Sequence, residues 1–350
     1  MSPTAPILSE DRGLFIFTVR GQDVERCRGR VAGAGIVAAY STAMTTAALR
    51  APARAADYEL VGPARAPVVL TLGGISATRH VVRTADDASP GWWEGIAGRE
   101  RPIDTTRFRL LSVDFRDGGR AIDGRPAAIV TTHDQAARIV EVLDELEISR
   151  LAAVVGASYG GMVALALAEH WPERVQRLVA ISAAHEPHPM AIGLRAVQRR
   201  IVELGLATGR VAESMALARA LAMTTDRTAR EFAERFDVTA ERSERGVEFA
   251  VERYLVGAGD KFAARMRPER FLCLSLSADL HRVIPESITV PTTVIAARGD
   301  TLVPPAQLRA MSKRLPRLTA FHVLQTRFGH DAFLTEQRKL GPLLTATLDD

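Results

Sequence analysis

The sequence predicts an α/β fold, with a mainly parallel sheet packed by helices and a separate helical block inserted late in the chain. Three observations carry this. Short apolar strand patterns recur at residues 67–72, 108–113, 151–155, 175–182 and 291–297. A helical pattern stands between two of them at 132–146, where Ala136, Ile139, Val140, Leu143 and Leu146 share one face. From about 186 to 285 the chain turns Arg-, Glu- and Ala-rich with few β-branched runs, and strand signals resume only after it. That block reads as a cap above one edge of the sheet.

The elements follow in order. Residues 14–19 (LFIFTV) form a strand candidate, and the segment up to Pro67 completes an N-terminal antiparallel section. Residues 31–49 lack charge but are filled with Gly, Ala, Ser and Thr, which suits strands and turns at a sheet edge better than a membrane span. After the cap, strands at 291–297 and 319–324 flank a helix that starts near Pro304 and Pro305 and ends about Leu315. A terminal helix covers 331–348, with Gly341 and Pro342 as its expected weak point. The domain reading is a core at 1–185, a cap at 186–285 and the remainder of the core at 286–350.

Composition narrows the function classes. A chain of 350 residues with 47% hydrophobic and 25% charged residues can bury one large core. The net charge is only +4, lysine occurs only at 261, 313 and 339, and no dense basic stretch is interleaved with aromatics. Nucleic acid is therefore not an expected partner, while an acidic substrate is compatible. Cys27 and Cys273 make neither a disulfide framework nor a C-x-x-C metal spacing, and a reducing compartment fits. Glu10, Asp11 and Arg12 stand where a secretory signal would need its apolar core, so the expected location is the cytoplasm.

The chemistry centres on G-A-S-Y-G at 156–160, which joins the apolar run LAAVV to an alanine-rich helical pattern. Strand, G-x-S-x-G and helix in immediate succession are what the nucleophile elbow of an α/β-hydrolase fold requires. Side chains larger than hydrogen at Gly156 and Gly160 would collide with the neighbouring strand and helix. Ser158 would then stand clear of the sheet over a helix N-terminus, where N–H groups favour developing negative charge. The full expectation is an α/β-hydrolase fold with a helical cap (lid) insertion.

Acyl transfer from a serine needs a base to take the hydroxyl proton and a carboxylate to orient that base. In this fold the acid and then the histidine follow the serine on loops after late strands. Asp300 comes just past the 291–297 strand, and His330 follows the next strand and opens the last helix. Taken singly, Asp300 is a turn residue and His330 a helix-start residue; their order, strand positions and spacing make them partners of Ser158. The other histidines compete less well. His80 and His133 precede the serine, His170 ends the elbow helix on the surface, His185 and His188 enter the cap, and His322 lies in a strand. Asp279 is a rival acid with no comparable strand before it. The oxyanion hole is expected from the N–H of Tyr159 and one from Gly74 or Ile75, in the loop after the 67–72 strand.

Three short motifs, G-A-S-Y-G-G-M at 156–162, V-Q-R at 197–199 and G-H-D at 329–331, resemble the homoserine O-acyltransferases, and the resemblance runs from about Tyr58 to the C-terminus. It implies transfer of an acetyl or succinyl group from CoA to the homoserine hydroxyl through an acyl-serine, in methionine biosynthesis. It implies Ser158 as nucleophile, His330 as base and Asp300 as its partner, with Arg199 gripping the homoserine carboxylate and Asp331 its ammonium. A homodimer formed through cap helices is also implied. No tightly bound cofactor and no metal are expected, and acyl-CoA is a co-substrate. Two departures matter: residues 204–223 hold no tyrosine where acetyl-transferring members usually carry a pair, and the loop at 72–80 looks more like the members that use succinyl-CoA. In that reading Arg79 pairs with the distal succinyl carboxylate. The residues alone leave open a cap-bearing esterase or thioesterase, an acyltransferase acting on serine or another hydroxyl, and a binding module that has lost catalysis.

Overall fold

The computed structural model describes residues 57–243 and 246–349; the strand candidate at 14–19 and the uncharged stretch at 31–49 lie outside the described residues. The chain begins with β1 (Tyr58–Val61), β2 (Val68–Leu72), the two-residue strands β3 (Ala97–Gly98) and β4 (Ile103–Asp104), and β5 (Arg109–Val113). Helix α1 (Thr132–Glu145), β6 (Ala153–Ala157), α2 (Tyr159–His170) and β7 (Leu178–Ile181) follow. The cap then comprises α3 (Pro189–Thr208), α4 (Val211–Asp226), α5 (Ala229–Arg235), a hairpin of β8 (Ala240–Ser243) and β9 (Gly246–Phe249), α6 (Ala250–Ala263) and α7 (Pro268–Leu280). The core resumes with β10 (Thr292–Ala297), α8 (Pro305–Ser312), β11 (Leu318–Leu324), α9 (Ala332–Thr335) and α10 (Gln337–Asp349).

Seven strands form the main sheet in the order β1-β5-β2-β6-β7-β10-β11. Only β1 runs antiparallel to its neighbour; the other pairings are parallel. The central strands β2, β6, β7 and β10 are buried at every residue, which is why they read as continuous apolar runs rather than alternating ones. Their side chains still sort by the two-residue period. Leu70, Leu72, Val154, Ala180 and Val294 face one core with residues of α1, α2 and α8. Val69, Val155, Val179 and Ile295 face a second core with Trp93, Ile96 and the Leu340, Leu344 and Leu348 stripe of α10.

Local chemistry sets the helix ends. Thr131 caps α1 reciprocally, accepting from Asp134 N–H while its own N–H donates to Asp134 Oδ2 at 2.8 Å. Helix α2 is apolar all round because its first ten residues are buried. The cap has a small core of its own, built on Val202, Met215, Phe262, Met266 and Phe271.

Three details differ from expectation. The cap is not wholly helical, since the β8–β9 hairpin interrupts it. The β7 strand starts three residues later than expected; after a short 3-10 turn at Pro172–Arg174, Val175 makes only an isolated parallel bridge to Leu151. The terminal helix breaks at Glu336 (φ −101°, ψ 41°), between α9 and α10, while Pro342 stays inside α10. Proline there removes one hydrogen bond, and the helix is held by the buried leucine stripe against the sheet. No helix among the described residues is long and apolar enough to cross a membrane.

Candidate active site

The loops at the C-terminal ends of β2, β6, β10 and β11 meet over the middle of the sheet, where a parallel α/β sheet places its ligand crevice. Ser158 sits between β6 and α2 with φ 53° and ψ −121°, a strained conformation that aims its side chain away from the strand. The sequence tolerates this turn through its glycines. A Cβ at Gly156 would lie 2.4 Å from the Gly160 carbonyl oxygen, and one at Gly160 would lie 2.4 Å from that of Leu72.

Ser158, His330 and Asp300 come together as a relay. Ser158 Oγ is 2.7 Å from His330 Nε2, and His330 Nδ1 is 2.8 Å from Asp300 Oδ2. Asp300, fully buried in its side chain, accepts two backbone N–H bonds on Oδ1, from Leu302 at 3.0 Å and Val303 at 2.9 Å. Those bonds leave Oδ2 to orient the imidazole, so Nδ1 carries the proton and Nε2 faces the serine. Burial alone would push the His330 pKa down. The Asp300 charge and hydrogen bond, with the nearby Asp226 and Asp331 carboxylates, outweigh it and raise the value to about 9.

The oxyanion-hole candidates also converge. Tyr159 opens α2, where the first N–H groups have no partner within the helix. Gly74 lies against Ser158: a Cβ there would be 4.0 Å from Ser158 Cβ. The Tyr159 hydroxyl is anchored to cap helix α7 by Ser277 Oγ at 2.7 Å, and burial keeps the phenol neutral by raising its pKa.

A cavity of about 130 Å³ opens onto Ser158. Gly74, Ile75, Ser158, His330 and Asp331 form its floor, and α3, α4, α6 and α7 of the cap supply its roof. Four charged side chains line it besides His330: Arg195, Arg219, Asp226 and Asp331. Arg219 Nη1 donates to Asp226 Oδ2 at 3.0 Å, and Arg227 Nε donates to Asp331 Oδ2 at 2.8 Å. Burial raises the Asp226 pKa to about 6, with Arg219 opposing the shift. Arg195 Nε donates to Asp279 Oδ1 at 2.6 Å, yet its Nη2 is buried without a partner.

Two residues expected at the substrate stand elsewhere. Arg199 does not line the cavity; its Nη1 is fixed by Asp279 Oδ2 at 2.6 Å and Ser275 Oγ at 3.0 Å. Arg195, one helical turn earlier, takes the cavity position instead. Arg79 is held by Asp114 through Nη1 at 2.6 Å and lines a separate surface cleft with His80 and Arg83. Asp279, discounted as the acid, is the carboxylate that pairs Arg195 with Arg199. Arg219 and Asp226 were not singled out from the sequence. A signal was present: Arg219 is a lone cation in the apolar run MALARALAM at 215–223, and Asp226 lies two helical turns further on the same face.

The sheet order, the elbow and the Ser158–His330–Asp300 alignment define an α/β-hydrolase, and the sequence profile of the alpha/beta hydrolase fold matches residues 67–337. A homoserine O-succinyltransferase of Xanthomonas campestris pv. campestris is 44% identical over 291 residues, covering 83% of this chain and 78% of that protein. An L-serine/homoserine O-acetyltransferase of Streptomyces lavendulae is 32% identical over 336 residues, covering 81% and 89%. Within the α/β-hydrolases, the chain belongs to the homoserine O-acyltransferase family. Among solved structures, a homoserine O-acetyltransferase from Bacillus anthracis superposes with a TM-score of 0.74 at 18% identity, covering 84% of this chain and 91% of that one. An acetylester hydrolase from Corynebacterium glutamicum gives 0.71 at 15%, covering 84% and 89%. The fold is thus shared by transferases and hydrolases alike.

Proposed function

We propose that this chain transfers an acyl group, succinyl in preference to acetyl, from its CoA thioester to the hydroxyl of L-homoserine by a ping-pong mechanism. The carrying observation is the charge set over Ser158. An amino acid presents one anion and one cation, and a succinyl group adds a second anion. Two guanidiniums and two carboxylates line the cavity, whereas an esterase for neutral esters needs none of them. In this reading Arg219 grips the homoserine carboxylate, Asp331 and Asp226 take its ammonium, and the free Nη2 of Arg195 receives the distal succinyl carboxylate. The first named relative is a succinyltransferase, which favours the same donor.

The chemistry runs through this chain's own atoms. His330 Nε2 takes the Ser158 proton as Oγ attacks the thioester carbon, and the N–H groups of Tyr159 and of Gly74 or Ile75 hold the oxyanion. Collapse breaks the C–S bond, and the CoA thiolate leaves with the proton from His330. The homoserine hydroxyl then gives its proton to His330 and attacks the acyl-serine, and Ser158 recovers that proton as the ester departs. The small cavity suits the acyl end and the acceptor, with the bulk of CoA outside. We place the enzyme in the cytoplasm, in methionine biosynthesis. Exposed Val197, Leu204 and Leu217 on the cap helices support a homodimer.

The direct test follows free thiol released from succinyl-CoA and acetyl-CoA, each with and without L-homoserine, with product mass in parallel. Homoserine-dependent release of O-succinyl-homoserine is expected. Release that ignores homoserine and yields the free acid would make the chain a thioesterase. L-serine in place of homoserine tests the acceptor shown in the name of the Streptomyces relative.

A further inference from the structure

At the end of α2 remote from Ser158, three ligating side chains meet. Glu169 and His170 close that helix, and His133 stands in the first turn of α1. One ring nitrogen of each histidine and a Glu169 carboxylate oxygen lie within 4.8 Å of one another. Both histidines approach the same oxygen: His133 Nε2 is 2.9 Å and His170 Nε2 is 3.4 Å from Glu169 Oε2. The two rings stand edge to face, 4.5 Å between centroids.

We propose that His133, Glu169 and His170 bind a divalent transition-metal cation, with Zn²⁺ the best match. Two imidazoles and a carboxylate are a zinc donor set, whereas Ca²⁺ and Mg²⁺ prefer oxygen alone. Metal–ligand bonds of about 2.0–2.1 Å in tetrahedral geometry set neighbouring donor atoms about 3.4 Å apart. The donor atoms, within 4.8 Å of one another, must close to that spacing when the ion binds. The carboxylate is already anchored from behind, because Glu169 Oε1 accepts the Ile284 N–H at 2.6 Å. His170 remains 53% exposed in its side chain, so the ion has a path from solvent and water can complete its coordination.

The position says what the ion does. Helix α2 advances about 1.5 Å per residue, which puts the triplet about 17 Å from the nucleophile, too far to touch the reacting atoms. The ion instead joins the start of α1, the end of α2 and, through Glu169, the segment that leaves cap helix α7 at Ile284. It acts as a clamp between the cap's exit and the helix that Ser158 precedes, and it stabilises the folded state by binding it alone.

The test uses the full chain without an affinity tag, stripped with EDTA, dialysed, and titrated with ZnCl₂ by calorimetry. One Zn²⁺ per chain is expected. H170Q and H133Q each remove a direct ligand and should weaken binding tenfold or more, at least the roughly 10–100-fold loss that removing only a ligand's outer-shell partner brings. His170 is a surface residue, so H170Q keeps the fold, and circular dichroism checks it. H330Q serves as the control for the active-site imidazole and should bind as the parent does. Zinc should raise the Tm of the parent and leave that of H170Q unmoved. Unchanged affinity in both variants, or no saturable binding below about 1 mM zinc, would overturn the proposal and leave a hydrogen-bonded His–Glu cluster.

Discussion

Arg227 and Asp331 form an ion pair at 2.8 Å that ties the end of cap helix α4 to the residue following His330. One Asp331 oxygen is therefore committed to the cap, and in the proposed function the other meets the homoserine ammonium. D331N should keep acyl-enzyme formation while raising the homoserine KM about tenfold or more, the scale of a lost charge-assisted hydrogen bond. Mass spectrometry of the acyl-enzyme separates the two half-reactions. Equal losses in both would place Asp331 in support of the fold rather than at the acceptor.

The same carboxylates bear on the base. His330 must be neutral to accept the serine proton, and its raised pKa of about 9 leaves it mostly protonated at neutral pH. The donor half-reaction should therefore speed up as pH rises and level off above about 9. In the acceptor half-reaction a bound ammonium offsets the Asp226 and Asp331 charges, so the midpoint there should lie lower than in the donor half-reaction. The check is kcat/KM for succinyl-CoA against pH in D226N and D331N. Both variants should move the midpoint down, and an unmoved midpoint would mean their charges do not reach His330.

Stability follows the same groups. The His330 pKa is raised from 6.5, so its contribution is full below pH 6.5 and is lost as pH climbs through about 9. The Asp226 pKa is raised from 3.8 to about 6, so the stability linked to its protonation is full below 3.8 and lost through about 6. The signs agree. The Tm of the free enzyme should fall between about pH 6.5 and pH 9 as the His330 contribution is lost. Below about pH 6.5 the buried His281, its pKa pushed down to about 3, works against Asp226, so D226N should steepen the rise of Tm there.

The elbow glycines give a backbone prediction. G160A places a methyl 2.4 Å from the Leu72 carbonyl oxygen, an atom fixed by the central strand. The expected cost is about 3 kcal/mol, the upper end for overpacking a core. Urea denaturation checks it, and a midpoint unchanged from the parent would mean that β2 and α2 can separate.

What the sequence made legible was the set of positions fixed by local order. Ser158 is announced by its glycines, and Asp300 and His330 by the strands that precede them. Cap residues were harder, because a helix shows which residues share a face but not which neighbour that face meets. Arg195 and Arg199 stand one turn apart and both reach Asp279, and only the folded chain shows that Arg199 also meets Ser275 while Arg195 lines the cavity. Arg79 failed for a similar reason, since Asp114 lies 35 residues away on the end of another strand. The His133–Glu169–His170 triplet joins two helices across 36 residues and matches no ligand spacing readable along the chain. The helix break falls at Glu336, six residues before the proline, which stays inside α10.

Donor choice supplies the last prediction. Arg195 keeps Nε on Asp279 while its buried Nη2 has no partner, an arrangement that costs stability unless a ligand completes it. Acetyl has no group for that nitrogen, and succinyl has a carboxylate. R195Q keeps a neutral amide donor on a shorter side chain and removes the charge. It should lower kcat/KM for succinyl-CoA by about tenfold to a hundredfold, the scale of one charge-assisted hydrogen bond in a desolvated site, and leave acetyl-CoA nearly unchanged. Competition between the two thioesters in one reaction, read as the ratio of O-acyl-homoserine products, measures the change directly. Loss of both activities together would instead assign Arg195 to holding α3 in place through Asp279, and the distal carboxylate would have to be sought at Arg219.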